Sequence, residues 1–330
     1  MKVVQFTAYG DYDKLQLTEV DQPVLKEGQL LVKVKYAAVN PVDNTLRKGG
    51  IKGRVTFPKI LGNEGSGIVI KGNAEFPENT RVIISCMDSE GTVRGIATDG
   101  AWQEYLALYP FELMKTPDNV SDEAAAAFPV GYLSAYICLN KAEFNAGKSV
   151  LSIAVGGAVG NAGIQVAKSL GASLVITTSG SSEKAEAANK AGFENIIDLT
   201  KEKISEGVAR ITEGKGVDVI IDMLGGDITG DALTSLAKNG ILSGIGYSAG
   251  TEFTAKMTDF VWKGIQMRGA SLSNWPDPRE HQKAAELLLP LLASGKIKPT
   301  VAKVFPIEEV AAANRYLVED RPFGKVLVKF

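Results

Sequence analysis

The sequence predicts an α/β protein of two domains, one β-rich and barrel-like, the other a doubly wound parallel sheet. Three observations predict it. A chain of 330 residues exceeds what one hydrophobic core usually supports. Residues 1–120 read as short strands broken by turns, whereas from 122 onward apolar strands alternate with helices. Within that second part a glycine turn, Val155-Gly156-Gly157-Ala158-Val159-Gly160, lies where a strand hands over to a helix.

The N-terminal strands are Val3-Phe6, Leu30-Ala37, Gly67-Ile70 and Val82-Ser85, with glycine-rich loops at Arg47-Gly53 and Gly91-Gly100. Short strands divided by such loops read as an antiparallel, barrel-like sheet. Asp122 to Phe144 is helical in composition, with Pro129-Val130-Gly131 expected to break or kink it. The later strands are Ser149-Val155, Leu174-Thr178, Ile196-Asp198, Val217-Asp222 and Gly240-Ile245. Helices separate them, Asn161-Leu170 and Glu183-Ala191 among them. Short buried strands alternating with helices predict a parallel sheet of βαβ units. A strand-like Gln266-Leu272, a helix near Glu280-Ala293 and a closing strand Val326-Phe330 follow.

Composition excludes several function classes. Hydrophobic residues make up 45% and charged residues 22%, as in ordinary globular proteins. A net charge of -2 and a pI near 5.7 give no electrostatic reason to bind nucleic acid or an anionic membrane. No apolar run approaches the roughly 20 residues that span a bilayer. Met1-Gly10 lacks the pattern of a signal peptide, so a cytoplasmic location is expected. Cys86 and Cys138 are far apart and are expected as buried thiols. One histidine, His281, and two scattered cysteines fall short of a zinc ligand set, so no metal is expected. His281 follows Pro276-Asp277-Pro278-Arg279-Glu280 at the start of an amphipathic helix, where an exposed histidine is expected.

The central chemical feature is the turn at 155–160. Gly157 lets the backbone approach a diphosphate closely, and Gly160 lets the helix pack tightly on the sheet. Free N–H groups at the helix start, reinforced by its dipole, favour an anion. The GxGxxG fingerprint is degenerate here, since Val155 takes the place of the first glycine. With a strand before it, a helix after it and further βαβ units, the turn predicts a dinucleotide site spanning Gly156, Gly157, Ala158, Val159 and Gly160.

The second strand decides which dinucleotide. An NAD site usually carries Asp or Glu at its end to bind the ribose 2′-hydroxyl. Ser179 stands there instead, followed by Gly180, Ser181, Ser182, Glu183 and Lys184. A carboxylate at that point would repel a 2′-phosphate by about 4 kcal/mol per charge pair at roughly 4 Å. Its absence, with hydroxyls and the Lys184 cation nearby, predicts NADPH. Gly225-Gly226 and Gly244-Ile245-Gly246 follow predicted parallel strands, whose carboxyl ends are where such sheets bind ligands. Leu224, Gly225, Gly246 and Tyr247 at these turns are therefore expected cofactor contacts, and Leu272 is expected to join them.

The chain resembles the medium-chain dehydrogenase/reductase superfamily over essentially its whole length. Within it, the resemblance is to the zinc-independent quinone oxidoreductases related to zeta-crystallin. The segments that carry it are Asn40-Pro41-Val42-Asp43 with Arg47, Leu61-Gly62-Asn63-Glu64-Gly65-Ser66-Gly67 and Gly131-Tyr132-Leu133-Ser134-Ala135-Tyr136. To these are added the 154–160 turn with Gln165-Val166-Ala167-Lys168, Asp222-Met223-Leu224-Gly225-Gly226, Gly244-Ile245-Gly246 and Gly324-Lys325-Val326-Leu327-Val328. The resemblance implies a GroES-like catalytic domain at 1–122 and 266–330, and a Rossmann domain at 123–265. Zinc relatives place a Cys where Asn40 stands and a His where Asn63 stands. The resemblance puts Asn40 and Asp43 at the nicotinamide end of the cleft and brings the Ser134 hydroxyl to the cofactor. It also assigns Gly180, Ser181 and Lys184 to the 2′-phosphate. Thr45 and Ile51 replace tyrosines common near the cleft, and Leu199 replaces one that grips the adenosine phosphate.

The reaction so implied is hydride transfer from NADPH to a quinone or an α,β-unsaturated carbonyl. Polarisation of the carbonyl is expected from Asn40, Thr45, Asn63 or a cofactor hydroxyl, with Asp43 beside them, and Lys325 is expected at the cofactor. A double-bond reductase of enals or enones and a non-catalytic, crystallin-like NADPH-binding protein are the alternatives. The resemblance further implies a homodimer paired through the sheet edge at Gln266-Leu272.

Overall fold

The computed structural model describes residues 1–51, 55–274 and 278–330. Part of the Arg47-Gly53 loop, and Pro276-Asp277, lie outside the described residues. In chain order the strands begin with β1 (Lys2–Phe6), β2 (Gln16–Glu19), β3 (Leu30–Val39) and β4 (Lys59–Ile60). There follow β5 (Gly65–Lys71), β6 (Arg81–Ile84), β7 (Tyr105–Leu108) and β8 (Leu113–Lys115). The middle of the chain holds β9 (Ser149–Ser152), β10 (Leu174–Ser179), β11 (Ile196–Asp198), β12 (Val217–Asp222), β13 (Leu236–Gly244) and β14 (Gln266–Gly269). The last two strands are β15 (Val301–Pro306) and β16 (Lys325–Lys329). The α-helices are α1 (Pro41–Arg47), α2 (Asp122–Ala127), α3 (Pro129–Lys141), α4 (Ala158–Ser169), α5 (Ser182–Lys190), α6 (Ile204–Thr212), α7 (Asp227–Thr234), α8 (Met257–Lys263), α9 (Pro278–Ala293) and α10 (Val310–Arg315). As the proline suggested, the predicted 122–144 helix breaks at Phe128, giving α2 and α3.

The chain forms two compact units, one of residues 1–130, 275–293 and 299–330, the other of 131–274 and 294–298. These limits differ from those expected from sequence, for two local reasons. Helix α2 packs on β3, β5 and β6 of the first unit, where Asp122 pairs with Lys35 and Arg81. Residues 266–269 pair with β13 as the edge strand of the second unit's sheet.

In the first unit a mixed sheet runs β15-β16-β3-β5-β6-β8, with β7 also on β3, and a small sheet runs β2-β1-β4. Its core gathers Val4, Phe6, Val34, Leu61, Trp102 and Val328. Pairing register places the polar groups. Strand β16 lies antiparallel on β3 with Val326 opposite Val39, which sets Lys325 against Asn40. On the other side of β3, Ala37 faces Gly65 and the Ala38 N–H donates to the Glu64 carbonyl. One end of three strands thus holds Lys325, Asn40 and Glu64.

In the second unit the sheet is parallel throughout, in the order β11-β10-β9-β12-β13-β14. This is the Rossmann order, and its direction reverses between β9 and β12, where such sheets bind ligands. Ile153, Ile176, Ile220, Leu233 and Leu242 form the core.

His281 departs from expectation, for it is buried at 6% exposure. It heads the buried stripe of α9 that continues through Ala284, Ala285, Leu288 and Leu292. That spacing is one helix face, so the signal was present in the sequence. Its Nε2 lies 3.0 Å from Ser85 Oγ. Both cysteines are free and buried.

Candidate functional site

In the second unit, strand β9 leads into Ala154, whose φ is +63°, and the chain then turns into α4 at Gly157. No side chain caps α4 at Gly157, so the amides of its first turn have no side-chain acceptor there. Gly157 is exposed, and a Cβ on it would meet nothing closer than the Ala154 carbonyl at 3.4 Å. At Gly160 a Cβ would sit 2.1 Å from that carbonyl and 2.2 Å from that of Ile153. Gly160 is therefore demanded by helix-on-strand packing, while Gly157 leaves open space over the helix start. Gly156, Ala158 and Val159 are half-buried around it. An uncapped helix N-terminus with open backbone in front of it fits a diphosphate.

The neighbouring strand ends complete this edge of the sheet. Asp222, at the end of β12, accepts the N–H groups of Leu224 (2.8 Å) and Gly225 (3.2 Å) and the Thr229 hydroxyl. It thereby shapes the Leu224-Gly225-Gly226 turn, which also bridges to Gly250. Gly246 packs so closely that a Cβ would lie 2.3 Å from the Met223 carbonyl, and Tyr247 is 57% exposed. Ser134 on α3 is buried, as is Leu272.

At the end of β10, Ser179 is buried and donates its hydroxyl to the Ser181 carbonyl at 2.8 Å. The Ser181 hydroxyl caps α5 by accepting the Lys184 N–H at 3.3 Å. Ser182 donates to Asp198 at 2.6 Å. The Ser182 and Thr200 hydroxyls, with Lys201 at 3.0 Å, hold the Asp198 carboxyl well below the usual range. The serines therefore shape the turn, leaving exposed Gly180 and half-exposed Lys184 facing solvent.

In the first unit, α1 starts at Asn40, and Asp43 on its first turn reaches back to the Asn40 N–H at 2.7 Å. The other Asp43 oxygen accepts the Gly62 N–H at 3.1 Å. Gly62 has φ +94° and presses on the ring of buried Trp102, so no side chain fits there. Burial raises the Asp43 carboxyl to about 7, against the lowering effects of its two backbone hydrogen bonds and of Lys325.

The Asn40 side chain does not cap the helix. Its Oδ1 accepts from Lys325 Nζ at 2.7 Å, and its Nδ2 donates to Glu64 Oε1 at 3.2 Å. Lys325 Nζ and Glu64 Oε1 are 2.5 Å apart, and Glu64 Oε2 accepts the Val130 N–H at 2.6 Å. Asn40, Asp43, Glu64 and Lys325 are all at most 3% exposed. Thr45, on the outer part of α1, donates to the Pro41 carbonyl at 3.2 Å. Asn63 is buried, with Nδ2 donating to the Arg94 carbonyl at 2.5 Å and Oδ1 without a partner.

Glu64 and Arg94 were not singled out from sequence. Glu64 lies inside the Leu61-Gly67 segment, and only strand register reveals that it meets Lys325. Arg94 donates to Ser85 and Met87 carbonyls and to Glu112 at 2.6 Å, which fixes the loop that receives Asn63. Among the described residues no group of three or more His, Cys, Asp or Glu is arranged to hold a metal ion.

Both parts of the chain are similar to known protein families. The alcohol dehydrogenase GroES-like domain family matches residues 26–118, and the zinc-binding dehydrogenase family matches 158–290. An NAD-dependent alcohol dehydrogenase of Sulfolobus acidocaldarius is 30% identical, over 100% of this chain and 99% of that protein. An NADPH-dependent alkenal/one oxidoreductase of Arabidopsis thaliana is 32% identical, over 99% of this chain and 79% of that protein. The solved quinone oxidoreductase of Pseudomonas syringae superposes with a TM-score of 0.85 at 27% identity, covering 100% of this chain and 99% of that one. With its GroES-like and Rossmann folds and these relatives, the chain belongs to the medium-chain dehydrogenase/reductase superfamily of oxidoreductases, in its quinone oxidoreductase-like group.

Proposed function

We propose that this chain is an NADPH-dependent, zinc-independent reductase of quinones or similar conjugated carbonyls. The observation that carries the reading is the buried amide and charge cluster of Asn40, Glu64 and Lys325, with Asn63 next to Glu64 in sequence. These asparagines stand where zinc relatives carry Cys and His ligands. When bound, the dihydronicotinamide of the cofactor supplies the hydride.

The residues of the chain do the rest. The first-turn amides of α4 and its dipole would hold the diphosphate of the cofactor. Lys184 and the backbone at Gly180-Ser181 would hold the 2′-phosphate. Asn40 has spent one amide hydrogen on Glu64 and keeps another, a donor for the carbonyl oxygen as it gains negative charge. A proton from solvent completes the reduced product. The name of the Arabidopsis relative supports a second substrate class, enals and enones, for the same site. The name of the Sulfolobus relative makes NADH the coenzyme against which the Ser179 and Lys184 argument is tested.

We also propose a homodimer formed along β14. It is an edge strand, and the neighbouring α8 exposes Met257 (73%), Val261 (67%) and Trp262 (79%). The catalytic reading is tested by following NADPH and NADH oxidation with 1,4-benzoquinone, 9,10-phenanthrenequinone and 2-alkenals. Turnover of NADPH by at least one acceptor class is expected, and no turnover with any of them refutes it.

A further inference from the structure

From the Asn40, Glu64 and Lys325 geometry we infer that Lys325 is a positioning residue that fixes which end of the Asn40 amide is offered to the substrate. An asparagine amide is nearly symmetrical in shape and can present either its oxygen or its nitrogen. Here the choice is made by two buried charges. The Lys325 ammonium has only hydrogens to give and takes the oxygen, at 2.7 Å. The Glu64 carboxylate, when ionised, has only lone pairs and takes one N–H, at 3.2 Å. Turning the amide over would set its NH₂ against the ammonium and its oxygen against the carboxylate, so both contacts would become repulsive. With its oxygen facing Lys325 and one N–H on Glu64, Asn40 keeps a second N–H, a donor suited to an oxygen that gains charge.

Glu64 is itself locked, since its second oxygen accepts the Val130 N–H at 2.6 Å. Lys325 is held by the register of β16 on β3, with Val326 opposite Val39. Its ammonium is 4% exposed at the side chain and shared between Glu64 and Asn40. Its contacts to Asn40 and Glu64 both lie inside the first unit. The inference rests on the reading of Asn40 as the carbonyl donor.

The test compares Lys325→Met and Lys325→Arg, each alone and with Asn40→Ala, in NADPH oxidation by 1,4-benzoquinone. Lys325→Met is expected to lower kcat by about 10²-fold, the scale of losing one preorganised donor. The KM for NADPH should stay within about twofold, and Lys325→Arg should restore most of the rate. In the Asn40→Ala background Lys325→Met should change nothing further, because the two act as a unit. A raised KM for NADPH at unchanged kcat, or losses that multiply independently, overturns the inference.

A second readout does not depend on turnover. In asparagine-¹⁵N-labelled full-length protein, the Asn40 side-chain NH₂ signal, identified by its absence in Asn40→Ala, should move or broaden in Lys325→Met. An unchanged signal overturns the inference. An enzyme inactive with every acceptor refutes the catalytic reading instead, and leaves this signal to judge the amide's orientation.

Discussion

Two buried residues of the first unit titrate away from their ordinary ranges in opposite senses, with consequences for stability. Burial depresses His281 from 6.5 to about 4, so the native protein refuses a proton that the unfolded chain accepts. Its contribution is complete above pH 6.5 and is lost as pH falls toward 4, by about 3 kcal/mol in all. Asp43 is raised from 3.8 to about 7, so its contribution is complete below 3.8 and is lost as pH rises through 7. Between pH 4 and 6.5 the two slopes oppose and largely cancel. Replacing His281 by Asn should unmask Asp43, so that urea unfolding shows the variant gaining on the parent as pH falls from 6.5 to 4. A constant difference between the two proteins over that range would contradict the assignment. Because His281 is the chain's only histidine, its single imidazole resonance should also stay neutral down to about pH 4.

Cofactor choice belongs to this scale as well. Lys184→Ala should raise the KM for NADPH about tenfold and leave that for NADH unchanged, the scale of one exposed phosphate contact. Equal effects on both coenzymes would remove Lys184 from the 2′-phosphate site. Single residues were legible in the sequence where chemistry depends on local spacing. Gly157, Gly160, Ser179 and Lys184 all fall at or just beyond the carboxyl ends of the neighbouring strands β9 and β10. The Ser179 hydroxyl is instead tied to the Ser181 carbonyl, a detail that needs the turn's actual backbone path.

At the scale of elements, the β9–α4 unit separates two glycines with different duties. Gly160→Ala drives a Cβ into two backbone carbonyls, and should cost about 1–3 kcal/mol of stability from overpacking. Gly157→Ala meets only an ordinary contact at 3.4 Å, so stability should be kept while NADPH binds more weakly. Thermal unfolding with and without NADPH separates the two. Equal losses of stability in both variants would show that Gly157 is merely a packing residue. Strands and helices were readable because period and turn residues are local. The Lys325–Asn40–Glu64 contact was not, since it arises from register among three strands 285 residues apart at their extremes. The burial of His281 was readable from the α9 stripe, although the prolines before it are of a residue type that favours turns.

At the scale of the molecule, the two-unit architecture was legible from length and the change in pattern at residue 122, while its seams were not. Helix α2 and strand β14 join their units through packing and pairing that composition does not encode. The exposed face of α8 bears on assembly. Trp262→Lys should shift light scattering from a dimer to a monomer, since an exposed apolar patch beside an open sheet edge favours a second copy. A monomeric parent, or a dimer untouched by the substitution, would contradict the proposed interface. The proposed hydride transfer from NADPH to a conjugated carbonyl needs no bound zinc. The most direct measurement is NADPH oxidation by 1,4-benzoquinone in protein treated with a strong chelator, compared with NADH under the same conditions. Undiminished turnover with a lower KM for NADPH is the predicted result; activity that is lost on chelation and restored by zinc would contradict it.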